Sequence, residues 1–173
     1  MKISIFNRDE VEKTQKEGFA FLVSIDDPGE VPTVATWIGL NHHAHFRWHD
    51  IDMDESGDAS LASRYIPPKR QDIQHLINFF KDTLLPAKPA AVAIHCVAGI
   101  SRSTAAALIL LAIEMGPGRE RECVEQVFMI RPCAWPNSRM VRYADSILER
   151  GGALINQLEG TMNMLKHRPY TGC

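Results

Sequence analysis

Between the short apolar run Ala90–Ile94 and the apolar stretch Thr104–Met115 the chain reads His95-Cys96-Val97-Ala98-Gly99-Ile100-Ser101-Arg102-Ser103. These residue types suit one kind of chemistry, attack on a phosphate ester by a thiol. The attacking sulfur must be a thiolate, and a free thiol ionises only near pH ~8.5. A cysteine that leaves a strand and faces a helix N-terminus gains loop N–H groups and the helix dipole. His95 and Arg102 are placed to add positive charge. Gly99 permits a tight turn, and the small side chains of Ala98 and Ser101 keep the rim open. The amides from Val97 through Ser101 could then cradle phosphoryl oxygens. Arg102 offers a planar fork to two of those oxygens, which lysine cannot match. Ser103 can donate to the sulfur when it must leave.

A cysteine with an arginine six positions later means little by itself in a chain with four cysteines. The signal lies in the added His95, Gly99 and flanking serines, and in the position between an apolar strand and an apolar helix. The remaining periodicity supplies the elements that must hold this loop. Phe21–Ile25 is an apolar run stopped by Asp26-Asp27-Pro28-Gly29, a strong turn signal. Val34–Leu40 is a second run and His43–Trp48 a third, alternating in polarity. Asp50–Pro68 is acidic, small and proline-containing, a loop. Ile73, Leu76, Ile77, Phe80 and Leu84 mark an amphipathic helix between Pro68 and Leu85. Ala90–Ile94 reads as a buried central strand. Thr104–Met115 is a buried helix closed by Gly116-Pro117-Gly118. Three more helices follow, over Glu120–Arg131, around Met140–Leu148 and around Leu154–Leu165. This order predicts one α/β domain over residues 1–173, with a small, mostly parallel sheet flanked by helices. Ligands bind beyond the carboxyl ends of such strands, where the loop after His95 lies.

The bulk numbers narrow the class. The chain has 173 residues, 45% hydrophobic and 23% charged, with a formal net charge of −2. That is an ordinary globular balance without the basic field of a nucleic-acid or membrane-surface binder. No apolar run approaches the roughly 20 residues that span a bilayer, and the N-terminus lacks a signal-peptide pattern. Cys96, Cys123, Cys133 and Cys173 show neither metal-site nor disulfide-framework spacing. A reducing cytoplasm is the expected compartment.

His95 through Ser103 resembles the His-Cys-x5-Arg-Ser/Thr phosphate-binding loop of the protein tyrosine phosphatase superfamily. The Ala-Gly-Ile-Ser-Arg-Ser run is most similar to dual-specificity phosphatases and their compact bacterial members. Arg131-Pro132-Cys133-Ala134-Trp135-Pro136-Asn137 resembles a segment those enzymes carry after the loop. The resemblance implies a phosphatase that uses Cys96 as nucleophile and Arg102 as phosphate clamp, with a phosphocysteine intermediate. It implies no cofactor and a phosphorylated protein as partner. It also implies a general-acid aspartate upstream: Asp50 is preferred because it follows the third strand most directly, ahead of Asp52 and then Asp54. Asn137 is expected to support the loop or to cap the helix after it.

Other readings are weighed beside this one. His42, His43, His45 and His49 cluster, with His43, His45 and His49 able to share one strand face, but no further ligand completes a metal pattern. Cys133 is expected to be a buried thiol, or else a trap for oxidised Cys96. A silent phosphate-binding module is the first alternative to an enzyme. A phosphatase of an RNA 5′ end or an inositol lipid is the second, weakened by the absence of lysine between Cys96 and Arg102. Trp135 or Phe46 is expected to wall the pocket.

Overall fold

The computed structural model describes residues 1–13, 18–31, 42–52 and 64–166. Among the described residues four strands form one sheet: β1 Lys2–Phe6, β2 Phe21–Asp26, β3 His43–Arg47 and β4 Ala91–Cys96. Their order is β1-β4-β2-β3, and every neighbouring pair is parallel. The described helices are α1 Arg8–Lys13, α2 Arg70–Phe79, α3 Arg102–Met115, α4 Glu120–Ile130, α5 Ser138–Ile147 and α6 Ala153–Leu165. A single π-helical turn, Phe80–Leu84, continues α2.

Burial explains the strand sequences. Central strands β2 and β4 are covered on both faces, and all their residues are buried. Such strands read as apolar runs rather than alternations. On one face Phe21, Val23, Ile25, Val92, Ile94 and Cys96 join the main core with α2 to α6. On the other, Leu22 and Ala93 meet Val11 of the short helix α1. Helix α3 lies in the middle of the main layer, which is why Ala105 through Ala112 are all buried and its sequence is apolar all round.

The sequence reading did not foresee β1 or α1. Both carried local signals. Ile3 and Ile5 alternate with more exposed neighbours, as an edge strand requires. Asn7 and Glu10 form a reciprocal cap: the Glu10 N–H donates to Asn7 Oδ1 and the Asn7 N–H donates to Glu10 Oε2, each at 2.7 Å. The expected strand Val34–Leu40 lies outside the described residues, as does Asp54. The third expected strand ends at Arg47, so His49 does not share a strand face with His43 and His45. His49 instead accepts the Ile66 N–H at 2.8 Å through its Nδ1.

Candidate active site

Strand β4 ends on Cys96, and residues 97–101 turn into the first turn of α3. Cys96 is 1% exposed. Its sulfur lies 3.2 Å from Ser103 Oγ and accepts the Gly99 N–H at 3.3 Å. The Gly99 N–H and the Ser103 hydroxyl are thus both placed to donate to the sulfur. The turn that brings Gly99 back over Cys96 has φ +69° at Gly99. A Cβ there would stand 2.7 Å from Asn7 N and 2.8 Å from the Phe6 carbonyl group. Glycine is therefore required twice, for conformation and for the close approach to the end of β1.

Backbone and side-chain braces hold the rest of the loop. The Arg8 N–H donates to Val97 O at 3.2 Å, and the Trp135 N–H donates to Ile100 O at 2.8 Å. Arg131 Nε donates to Gly99 O at 3.2 Å while its Nη1 reaches Glu10. Thr104 Oγ1 donates to Ile100 O or Ser101 O, at 2.5 and 2.9 Å. Ala98 is exposed beside the buried Gly99, so the rim of the loop is open.

Arg102 is 3% exposed. Its Nη1 donates to Trp48 O at 2.7 Å and forms an ion pair with Asp27. Its Nε is buried with no hydrogen-bond partner among the described residues. One edge of the guanidinium is thus held by protein, and the other keeps a desolvated donor unspent. Leaving a charged donor unpaired is costly unless a ligand takes it. Asp27 was not singled out from the sequence. It sits in a turn signal, and the fold alone brings that turn over Arg102.

Asp50 meets the loop directly. Its Oδ1 accepts from Ser101 Oγ at 2.6 Å and from Asn137 Nδ2 at 2.9 Å. Its Oδ2 lies 3.9 Å from Arg102 Nε. Asp52 points elsewhere: its Oδ1 accepts the Arg139 N–H at 2.7 Å in the first turn of α5. Partial burial raises the Asp52 pKa, and the hydrogen bonds from Arg139 and Ser138 offset part of that rise. Asn137 combines both expected roles. Its Oδ1 accepts the Met140 N–H at 3.0 Å as the N-cap of α5, and its Nδ2 holds Asp50.

His95 corrects one expectation. Its ring is fully buried and turned from the sulfur, with Nε2 on Ser24 Oγ at 2.6 Å. Burial pushes its pKa down to about 4, so at neutral pH it brings no positive charge to Cys96. Two other expectations also change. Phe46 packs against Trp48 and Phe79 on the core side and so does not wall the site. Cys133 is half-buried in a disulfide, while Cys96 and Cys123 are free. Cysteine usage therefore no longer argues for a reducing compartment. Burial raises the Cys123 thiol to about 11, which makes it inert beside Cys96's hydrogen-bonded sulfur. Among the described residues no His, Cys, Asp and Glu group could hold a metal ion, and no helix is long and apolar enough to cross a membrane.

No protein-family model matches the sequence, and no curated protein matches it. Solved structures do match the fold. Human DUSP28 superposes with TM-score 0.55 at 14% identity, covering 96% of this chain and 95% of that one. The Cydia pomonella PTP-2 phosphatase gives 0.57 at 18% identity, covering 84% and 85%. A human tyrosine phosphatase-like serine/threonine/tyrosine-interacting protein gives 0.53 at 17%, covering 95% and 93%. The chain thus has the fold of these protein tyrosine phosphatases. At these identities the likeness defines the fold, and the chemistry has to be argued from the side chains.

Proposed function

We propose that this protein is a cysteine-dependent phosphomonoesterase that acts on phosphotyrosine and more slowly on phosphoserine and phosphothreonine in proteins. The observation that carries the reading is the pairing of two unspent groups at one loop. These are the Cys96 sulfur, with donors at 3.2 and 3.3 Å, and the buried Arg102 Nε, which has no hydrogen-bond partner among the described residues and only the Asp50 carboxylate at 3.9 Å. A phosphoryl group seated on the loop amides would meet both.

In the proposed reaction the Cys96 thiolate attacks phosphorus and the bond to the leaving oxygen breaks. Arg102 and the amides from Val97 to Ser101 stabilise the charge that gathers on the equatorial oxygens. Asp50 gives its proton to the leaving oxygen, then takes one from the water that attacks the phosphocysteine. Ser103 donates to the sulfur as it departs. Asn137 and Ser101 keep Asp50 beside the loop. Asp27 and Trp48 O fix the guanidinium so that less freedom is lost when phosphate binds.

Three features support the substrate class. The loop has no lysine between Cys96 and Arg102, and two carboxylates, Asp27 and Asp50, stand near Arg102. That balance suits one phosphoryl group better than a polyphosphorylated lipid. Val97 and Trp135, at the loop and its brace, are partly exposed and offer an apolar rim to an aromatic leaving group. A fold neighbour whose name marks it as an interacting protein keeps a silent binding module in view. Cys96, Arg102, Ser103 and Asp50 together favour catalysis.

Steady-state turnover of matched phosphotyrosine, phosphoserine and phosphothreonine peptides by the wild type and Cys96→Ser tests the reading. The expected result is wild-type activity with phosphotyrosine fastest, and no turnover in Cys96→Ser while it still binds inorganic phosphate. An inactive wild type that binds phosphate equally well would make the chain a binding module. Faster turnover of an RNA 5′ phosphate or an inositol phosphate would change the substrate class.

A further inference from the structure

On the face of the sheet away from the main core, polar side chains line up across three strands. The register puts Ser24 of β2 opposite His95 of β4 on one side and His45 of β3 on the other. His43 is two residues earlier on β3, on the same face. Their hydrogen bonds form one chain. His95 Nε2 meets Ser24 Oγ at 2.6 Å, and Ser24 Oγ meets His43 Nε2 at 2.7 Å. His43 Nδ1 meets His45 Nε2 at 3.1 Å. At the outer end, His45 Nδ1 lies 4.0 Å from the buried Asp26 carboxylate. At the inner end His95 adjoins the nucleophile.

These groups have two arrangements in which every contact of the chain holds a proton; a third, with both rings donating to the Ser24 oxygen, would leave its buried hydroxyl proton unpaired among the described residues. The Ser24 hydroxyl has one proton and can donate to one histidine only. If it donates to His95, then His43 must carry its proton on Nε2 and leave Nδ1 bare for a His45 Nε2–H. His95 then holds its proton on Nδ1. If Ser24 donates to His43, each proton along the chain changes side. His95 then donates from Nε2, and its Nδ1 is bare. A protonated His45 has N–H on both nitrogens, so of these two it can coexist only with the first. A proton gained at the sheet edge therefore dictates the tautomer of a buried ring that never contacts solvent.

We propose that Ser24, His43 and His45 are positioning residues for the nucleophile, forming a one-way relay that decides which ring nitrogen of His95 carries the proton beside Cys96. The relay rests on the reading of Cys96 as nucleophile for its purpose, but its geometry stands apart from it. His95 Nδ1 has no well-formed hydrogen bond. With Nε2 held by Ser24, Nδ1 remains for the weak interaction with the Cys96 backbone that favours a ring proton. The relay thus alters the polarity at the start of the phosphate loop. The charged groups around it are Asp26 on β2, Arg8 on α1 and Arg47 on β3. Asp26 favours a positive His45, whereas burial and Arg47 oppose it, so His45 gains its proton below its ordinary value. Arg8 donates to Asp26 at 3.1 Å and opposes charge on His95.

Ring ¹⁵N shifts of histidine-labelled protein read the tautomer directly. His95 stays mostly neutral between pH ~6.5 and about 4, so its tautomer can be read as acid adds a proton to His45, whose pKa lies below its ordinary value. In the wild type the His95 ring signals should move over that window to the Nδ1–H pattern. In Ser24→Ala, and in His43→Leu on the edge strand, they should stop responding. The acid limb of the kcat/KM profile should shift by about half to one pH unit, the worth of one hydrogen bond. Should Ser24→Ala fail to fold, His43→Leu decides. A wild-type His95 that does not respond, or one that responds identically in a folded relay variant, overturns the proposal. The NMR readout needs no turnover, so an inactive but responsive wild type would defeat the phosphatase reading and leave the relay standing.

Discussion

Replacing Gly99 by alanine should damage the site through two separable effects. Gly99 has φ +69°, and the added Cβ would approach backbone atoms of Asn7 and Phe6 to within 2.7–2.8 Å. A left-handed backbone conformation costs an alanine about 1–2 kcal/mol. Overpacking against rigid backbone adds about 1–3 kcal/mol. The sum, about 2–5 kcal/mol, is a large part of a typical stability of about 5–15 kcal/mol. The chain can relieve the contact by lifting the loop from the end of β1, but that move lengthens the 3.3 Å bond from the Gly99 N–H to the Cys96 sulfur. Loss of stability and loss of activity should therefore appear together. Gly151→Ala is the control, because Gly151 has φ +62°, close to that of Gly99, yet nothing lies within 4 Å of its Cβ position. Urea unfolding at pH 7 and kcat/KM on a phenyl phosphate measure both quantities. Gly99→Ala should lose at least ~1 kcal/mol more than Gly151→Ala, the lower bound of the overpacking cost, and should turn over at least tenfold more slowly. A variant as stable as the control and as active as the wild type would refute the close-approach account.

Asp50→Asn should lower kcat about 10²–10⁴-fold on phenyl phosphates with poor leaving groups and far less on activated ones. Leaving-group dependence lost in Asp52→Asn instead would move the general acid. Asp27→Ala should cost about tenfold or more in kcat/KM by freeing the Arg102 guanidinium, with Asp27→Asn much closer to wild type because it keeps an acceptor. Equal effects of the two substitutions would assign Asp27 an electrostatic role rather than a positioning one. Acid should destabilise the fold through His95, whose pKa falls from 6.5 unfolded to about 4 in the folded state. The unfolded chain binds the extra proton between those values, so stability is full above pH 6.5 and declines toward pH 4. The loss from this ring alone is about 3 kcal/mol. Urea midpoints that stay flat over that window would contradict the buried neutral ring.

Much of the site was legible because it is local. Cys96, Gly99, Arg102 and Ser103 fall within one loop whose flanking apolar runs reveal the strand and the helix. Asp50 was singled out by its place after an alternating strand, and the fold sets it against Ser101 and Asn137. What sequence reading missed depends on register and on distant segments. Nothing local says that Asp27 will meet Arg102, since 75 residues separate them. His43 and His45 could be placed on one face from their spacing. Ser24 and His95 join them only because β2 pairs with both β3 and β4. His95 looked like a cationic helper, and only its burial shows otherwise. Helix α1 was overlooked because six residues are too few for a periodic signal, although its Asn7–Glu10 cap was in plain view.

The central claim is that Cys96 carries the phosphoryl group between substrate and water. Rapid acid quench of the wild type with a phosphotyrosine peptide, followed by mass spectrometry of the digest, tests it most directly. The account predicts one phosphoryl group on the peptide containing Cys96, accumulating in Asp50→Asn when breakdown is slowed and an activated phenyl phosphate is used. Steady turnover with phosphate on another side chain, or on none at any time of quench, would contradict it.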